Sequence, residues 1–210
     1  TSSPRAPFGG YGPSFVNPRT GEILGADIML EYVHFTNRVL YEKVFDLKMV
    51  EKEFEAPIFH KDMNRVSCSM GHFSHENTQF GNAVLLAEKA SDLKLKRLKR
   101  ESMTALIMHE IGHTLGLNHN MKASQLFSPE QLADSSFIKG KCLTGSVMDY
   151  AAINLTKDRN KQGQFEDVTV GPYDIWAIQF GYTTFQSDED KNNLLNRSTE
   201  PELIFGNDAD

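Results

Sequence analysis

Residues 109–119 read HEIGHTLGLNH and contain three of the seven histidines of the chain. His109 and His113 are four residues apart, so on a helix they lie on the same face, one turn from each other. Both imidazoles can therefore reach one cation at the roughly 2.0–2.1 Å that zinc requires. Glu110 adjoins the first histidine, and its carboxylate can reach a metal-bound water without displacing it. The spacing therefore indicates a helix that carries hydrolytic zinc chemistry.

A glycine follows three residues after the second histidine. Gly116 can adopt a positive φ, end the helix and turn the chain back underneath it. His119 can then supply a third ligand, which leaves the fourth position for water, as in catalytic zinc sites. The five fixed positions of this pattern should arise by accident at only about one in 3 million positions. We therefore predict one catalytic Zn²⁺ held by His109, His113 and His119, in preference to a buried helix with hydrogen-bonded histidines.

Length and composition exclude several classes of protein. A chain of 210 residues, 40% of them hydrophobic, can bury one core, which can be divided around a cleft. The net charge of −6 disfavours nucleic-acid binding, and the basic run at residues 94–100 is interpreted as a solvated helix face. No apolar run approaches the roughly 20 residues that span a bilayer. Cys68 and Cys142 are compatible with one disulfide or with two free thiols.

Hydrophobic periodicity outside residues 109–119 predicts a mixture of strands and helices. Strands are expected within 22–31 and 65–73, and helices at about 35–54, 82–97 and 101–115. Residues 74–79 are expected to form a polar loop, so His72 and His75 are interpreted as surface histidines instead of a second metal site. Beyond Asn120 the pattern is irregular until Pro172, which indicates the start of a last helix. From Gln186 onwards a polar, acidic tail is expected.

A methionine lies about 30 residues after the third histidine, within the frame S-x-M-x-Y of residues 146–150. Together with the histidine motif, this frame resembles the metzincin clan of zinc endopeptidases. The resemblance implies that Met148 forms an apolar floor beneath the three imidazoles. It also implies that Tyr150 ligates the resting metal or donates a hydrogen bond to the oxyanion, although a core tyrosine with a satisfied hydroxyl remains the alternative.

The fold that the resemblance implies is α+β and zincin-like. An upper lobe with a mixed sheet, helices and the active-site helix would span residues 1–119. A smaller, mostly irregular lower lobe with the methionine turn and a closing helix would span residues 120–185, and residues 186–210 would be a tail or linker. Trp176 and Phe180 of the closing helix are expected in the core.

Three further segments carry a closer resemblance: NPRTGEIL at 17–24, HNMKAS at 119–124 and GPYDIW at 171–176. They are similar to the catalytic segment of large bacterial, Bacteroides-like zinc metalloproteases flanked by domains of unknown function. The similarity covers most of residues 14–185. It implies an extracytoplasmic location (periplasmic, outer-surface lipoprotein or secreted) and flanking domains in a longer chain. With no coiled-coil pattern in the sequence, a monomer is expected.

The predicted activity is that of a zinc metalloendopeptidase. A zinc-bound water attacks the peptide carbonyl, and Glu110 acts first as general base and then as general acid. The peptide is expected to lie extended along an edge strand. Two other classes remain open: a zinc hydrolase acting on a small amide, which a small closed pocket would favour, and a zinc-holding binding module without turnover, against which the intact Glu110 argues.

Overall fold

The computed structural model describes residues 10–11, 13–30 and 70–208. The helix predicted at 35–54, most of the strand predicted at 65–73 and Cys68 lie outside these ranges. In the described part of the chain, short strands precede a pair of long helices, which are followed by mostly irregular chain with three shorter helices. The prediction of an α+β, zincin-like fold is confirmed. The division into an upper and a lower lobe stays a prediction.

The strands form two antiparallel pairs. The outer pair is β1 (Gly10–Tyr11) with β4 (Met29–Leu30), and the inner pair is β2 (Ser14–Val16) with β3 (Ile23–Ala26). Gly21 closes the turn between β2 and β3 with a φ of 75°, a conformation that favours glycine. The Ser14 hydroxyl donates a 2.6 Å hydrogen bond to the carbonyl of Thr114. This bond attaches the hairpin to the end of the helix that carries the histidines.

Helix α1 (Met70–Ala87) occupies residues for which the sequence predicted the end of a strand and a polar loop. That prediction was wrong because the buried face of this helix is largely polar. Ser74, Thr78 and Asn82 follow one another at helical spacing and are all buried. The Thr78 hydroxyl donates a 2.8 Å hydrogen bond to Ser102 on the next helix, so a hydroxyl pair takes the place of an apolar contact. Because hydroxyl and amide side chains form this interface, the sequence shows no hydrophobic repeat of helical spacing there.

Helix α2 (Asp92–Thr114) is continuous from the basic run to the second histidine. The sequence placed a helix boundary near residue 100, whereas the break falls at residues 88–91, where Lys89 has a φ of 54°. Within the basic run, Lys96, Lys99 and Arg100 are exposed on the helix, as a solvated face requires. Arg97 instead pairs with Glu101 one turn later, at 2.6 Å.

The chain after α2 is mostly irregular, as predicted, and its last part contains more structure than predicted. The helices are α3 (Pro129–Ala133), α4 (Pro172–Tyr182) and α5 (Asp188–Asn196), with 3₁₀ turns at 123–125, 159–161, 197–199 and 201–203. Pro172 begins α4, as predicted. The core position predicted for Phe180 is wrong, because its side chain is 41% exposed, and Trp176 is half-buried. The expected tail instead folds back, and Leu203 is buried.

A small apolar core joins the helix pair to the irregular segment. Leu85 of α1, Leu98 of α2 and Phe165 are fully buried against one another. The backbone N–H of Phe165 donates a 2.6 Å hydrogen bond to Glu101 of α2. This core holds the irregular segment beside the half of α2 that precedes the histidines. Among the described residues, no helix is both long and apolar enough to cross a membrane.

Candidate zinc site

The end of helix α2 turns the third histidine back towards the first two. Gly116 has a φ of 88°, which confirms the predicted left-handed turn. Its N–H donates to the carbonyl of His113, and the N–H of Leu117 donates to the carbonyl of Gly112, each at 3.0 Å. These two bonds form a Schellman motif, the standard glycine-dependent end of a helix. The chain therefore leaves the helix axis directly after the second histidine, and His119 lies beside His113.

The structure brings the imidazoles of His109, His113 and His119 together. One nitrogen from each ring lies within 4.8 Å of the others, and the Nε2 atoms of His113 and His119 are 3.1 Å apart. Two nitrogens bound to one tetrahedral Zn²⁺ at about 2.0–2.1 Å would be about 3.3–3.4 Å apart. The spacing of the rings thus fits a single ion.

The other ring nitrogen of each histidine already has a hydrogen-bond partner. His109 Nδ1 lies 2.8 Å from the carbonyl oxygen of Val147, and His113 Nδ1 lies 3.1 Å from that of Leu117. His119 Nδ1 faces the carboxylate of Asp208 at 2.8 Å. Since all these partners are acceptors, each Nδ1 carries the proton and each Nε2 presents a lone pair. Lone pairs that converge in this way are the donor set that a cation requires.

Burial keeps the helical histidines in the neutral form that binds metal. Burial, together with the neighbouring His113, lowers the pKa of His109 to about 3. Burial also lowers the pKa of His113 from its ordinary value. The protonated form of either ring is therefore disfavoured, and no proton has to be displaced from Nε2 near neutral pH. The residues present fit the zinc ion that the sequence predicts.

Glu110 adjoins His109 in the chain, and Tyr150 lies beside the rings of His109 and His119. Glu110 is fully buried and directly follows His109 in the helix. The hydroxyl of Tyr150 is 3.2 Å from Nε2 of His119, and its ring is 5.5 Å from that of His109. The ring of Phe73, from α1, stacks on Tyr150 at 5.7 Å. A phenol thus adjoins the point on which the imidazoles converge, and a buried carboxylate follows the first of them in the helix.

The methionine turn (residues 146–150) packs against helix α2, which carries His109 and His113. Met148 is fully buried, and its sulfur occupies the space that a Cβ at Gly112 would fill. Asp174, in the first turn of α4, accepts hydrogen bonds from the Ser146 hydroxyl at 2.5 Å and from the Val147 N–H at 2.9 Å. Since Val147 in turn accepts from His109, Asp174 supports the first histidine through the turn.

Asp208 was missed by the sequence analysis, which treated residues 186–210 as a tail or linker. It lies 89 residues beyond His119 in the chain, without a motif around it. Only a rule that every metal-binding imidazole needs an acceptor for its second nitrogen could have prompted a search for such a residue. That rule would not have distinguished Asp208 from the other carboxylates of the acidic segment. Cys142 is half-buried and forms no disulfide with another described residue; because Cys68 lies outside the described ranges, the choice between one disulfide and two thiols stays open.

Comparison with known proteins agrees with this geometry. A family model described as Met-zincin matches residues 91–210, from the start of helix α2 to the end of the chain. The match covers more than half of the 210 residues and includes the histidines, the methionine turn and Asp208. No curated protein and no solved structure matched the chain. The chain therefore belongs to the Met-zincin family of zinc metallopeptidases.

Proposed function

We propose that this protein is an endopeptidase in which His109, His113 and His119 hold one Zn²⁺ and Glu110 is the general base. The observation that carries the proposal is the convergence of one nitrogen from each of the three imidazoles, with a fully buried glutamate directly after the first histidine in the helix. From that position a carboxylate can accept a proton from a metal-bound water.

Zinc, when bound, polarises the scissile carbonyl and favours deprotonation of the attacking water. The carboxylate of Glu110 accepts a proton from this water as its oxygen forms a bond to the carbonyl carbon. Glu110 then passes the proton to the amine nitrogen as the C–N bond breaks. The Tyr150 hydroxyl, 3.2 Å from a histidine nitrogen, is close enough to donate a hydrogen bond to the oxyanion.

One feature favours a peptide chain over a small amide as substrate. It is the β2–β3 hairpin, which Ser14 joins to the end of α2 and which exposes Phe15 and Leu24. An extended peptide can pair with such a strand.

The test is cleavage of an unfolded protein, with the products mapped by mass spectrometry. An endopeptidase produces internal fragments, loses this activity when a chelator removes zinc and recovers it when Zn²⁺ is returned. Hydrolysis of small acyl amides without internal fragments would instead support the small-amide hydrolase. Zinc binding without either activity would support the binding module. The extracytoplasmic location, flanking domains and monomeric state stay predictions from the resemblance.

A further inference from the structure

We infer that Asp208 is a positioning residue for His119 and that residues 203–208 are a structural component of the metal centre. The inference deepens the proposed function, on which it rests for the identity of the metal. It concerns an acidic residue that lies far from the histidine motif in sequence. Three observations support it: the difference between the three histidines, the attachment of the segment, and the exposure of the two groups.

The three histidines differ in how their second nitrogen is held. His109 and His113 belong to a rigid helix, and their Nδ1 atoms face neutral backbone carbonyls. His119 follows the helix, in irregular chain, and its Nδ1 faces both oxygens of Asp208, at 2.8 and 3.1 Å. A carboxylate is a stronger acceptor than a carbonyl and makes the imidazole a better metal ligand. The ligand with the least backbone support therefore has the strongest partner.

The segment that carries Asp208 is attached to the residues directly after His119. The Asn120 side chain donates to the carbonyl of Ile204 at 2.9 Å and accepts from the Gly206 N–H at 3.1 Å. The backbone N–H of Met121 donates to the carbonyl of Gly206 at 2.7 Å. These bonds join the segment that carries Asp208 to the two residues that follow His119. A loose tail could not hold a carboxylate at a fixed distance from a metal ligand.

Further packing holds this segment in place. Leu203 is buried, and the ring of Phe205 stacks on that of Tyr173 at 5.4 Å. The backbone of Gly206 lies against the side chain of Lys122, whose carbons would be 2.6–2.8 Å from a Cβ at this position. The segment is therefore joined on one side to the loop after His119 and on the other to helix α4.

The exposure of the pair indicates which part of the interaction matters most. The side chain of His119 is 6% exposed, whereas that of Asp208 is 50% exposed. Water screens the charge of a half-exposed carboxylate, so its electrostatic contribution is reduced. The acceptor geometry at Nδ1 is retained, because the nitrogen itself is buried. We therefore expect orientation of the imidazole to contribute more than the negative charge.

The experiment measures the zinc dissociation constant of the full chain by competition with a chromophoric chelator. Asp208→Ala removes the acceptor, and Asp208→Asn keeps an acceptor oxygen without the charge. Glu202→Gln is the matched control, since Glu202 is a half-exposed carboxylate of the same part of the chain whose ion pair is with Arg197. The visible spectrum of the Co²⁺-loaded protein reports ligand geometry in the same variants. Circular dichroism of the zinc-free proteins checks folding.

We expect Asp208→Ala to weaken zinc binding by roughly 10–100-fold and to change the Co²⁺ spectrum. Asp208→Asn should lose less affinity, and Glu202→Gln should match the wild type. If Asp208→Ala does not fold, Asp208→Leu decides, because it keeps the size of the side chain and has no acceptor, and wild-type affinity and spectrum there would contradict a positioning role. Equal zinc affinity in Asp208→Ala and wild type, or an equal loss in Glu202→Gln, would overturn the inference. These measurements use no substrate, so a chain that binds zinc as expected without cleaving peptides would contradict only the proposed function.

Discussion

The sulfur of Met148 lies against the backbone of Gly112, in the space that a side chain at position 112 would need. Gly112 is the residue directly before the second histidine, and Met148 is fully buried. The active-site helix and the methionine turn are thus in contact at a position where only glycine fits. This contact determines how close the turn, and the Val147 carbonyl that holds His109, can come to the helix.

Gly112→Ala should therefore destabilise the protein and disturb the metal site. Overpacking of a filled core costs about 1–3 kcal/mol, and the methionine that a Cβ would displace is fully buried. The measurement is the free energy of unfolding in urea, together with zinc affinity. Gly181→Ala is the control, because a Cβ there has no neighbour within 4 Å. Adding Met148→Ala to Gly112→Ala should recover part of the loss, whereas strictly additive effects would contradict direct contact.

Gly116 and Gly140 both have a positive φ, so the effect of alanine at one can be compared with its effect at the other. Gly116 has a φ of 88° and Gly140 a φ of 75°, and a Cβ at either position has open space. Alanine should cost each roughly 1–2 kcal/mol, since the left-handed conformation is strained for residues with a Cβ. Only Gly116→Ala should also weaken zinc binding, because it changes the path of the chain to His119. A similar loss of zinc affinity in both variants would refute this assignment.

Asp174 links the last helix to the first histidine. It accepts hydrogen bonds from the Ser146 hydroxyl and the N–H groups of Val147 and Gly171. Asp174→Ala leaves these buried donors without their acceptor, so we expect a loss of stability on the order of 2–3 kcal/mol. Zinc affinity should fall as well, because Val147 holds His109. Asp190→Ala, which removes an exposed carboxylate of α5, should leave zinc affinity unchanged.

Glu166 should make the stability of the zinc-free protein depend on pH. Burial, with the nearby carboxylates of Asp167 and Glu101, raises the pKa of Glu166 from 4.5 to about 8. Below pH 4.5 both folded and unfolded chains hold the proton. As the pH rises towards 8, the unfolded chain loses the proton first, so stability falls, and above 8 the fall levels off. Asp167, whose pKa is raised to about 6 chiefly by burial, acts in the same direction.

Glu166→Gln should remove much of this fall. The variant and the wild type should have similar free energies of unfolding at pH 5, and the variant should be more stable by at least about 1 kcal/mol at pH 8.5. Chelator is present throughout, so that zinc binding does not contribute to the pH dependence. Glu76→Gln, an exposed position on α1, serves as control. If the free energy of unfolding fell by the same amount between pH 5 and pH 8.5 in Glu166→Gln and in the wild type, the pKa of Glu166 would not be raised, which would contradict this prediction.

The parts of the site that were predictable are those encoded by local spacing. His109 and His113 follow from the helical repeat, and the turn at Gly116 follows from the conformational freedom of glycine. Helix α1 was not predictable by the same reasoning, because its buried residues Ser74 and Thr78 are polar. Their pairing across the interface depends on the partner helix, which a local pattern does not contain.

Long-range partners explain the other failures. Asp208 acts through a residue 89 positions away, and an acidic segment has the same composition whether it is free or folded against the protein. The core position expected for Phe180 depended on which face of α4 meets its neighbours. In the structure, the indole N–H of Trp176 donates to the carbonyl of Leu194, and Phe180 remains 41% exposed. Helical spacing predicts that residues share a face, although it does not predict what covers that face.

The assignment of Glu110 as the general base is tested by comparing the wild type with Glu110→Gln at equal, measured zinc content. The substitution keeps the size of the side chain and removes its ability to accept a proton. Both proteins should bind zinc, and Glu110→Gln should cleave an unfolded protein roughly 10²–10⁴-fold more slowly. Equal cleavage by the two proteins would contradict the assignment, because peptide hydrolysis would then proceed without the glutamate assigned as the base.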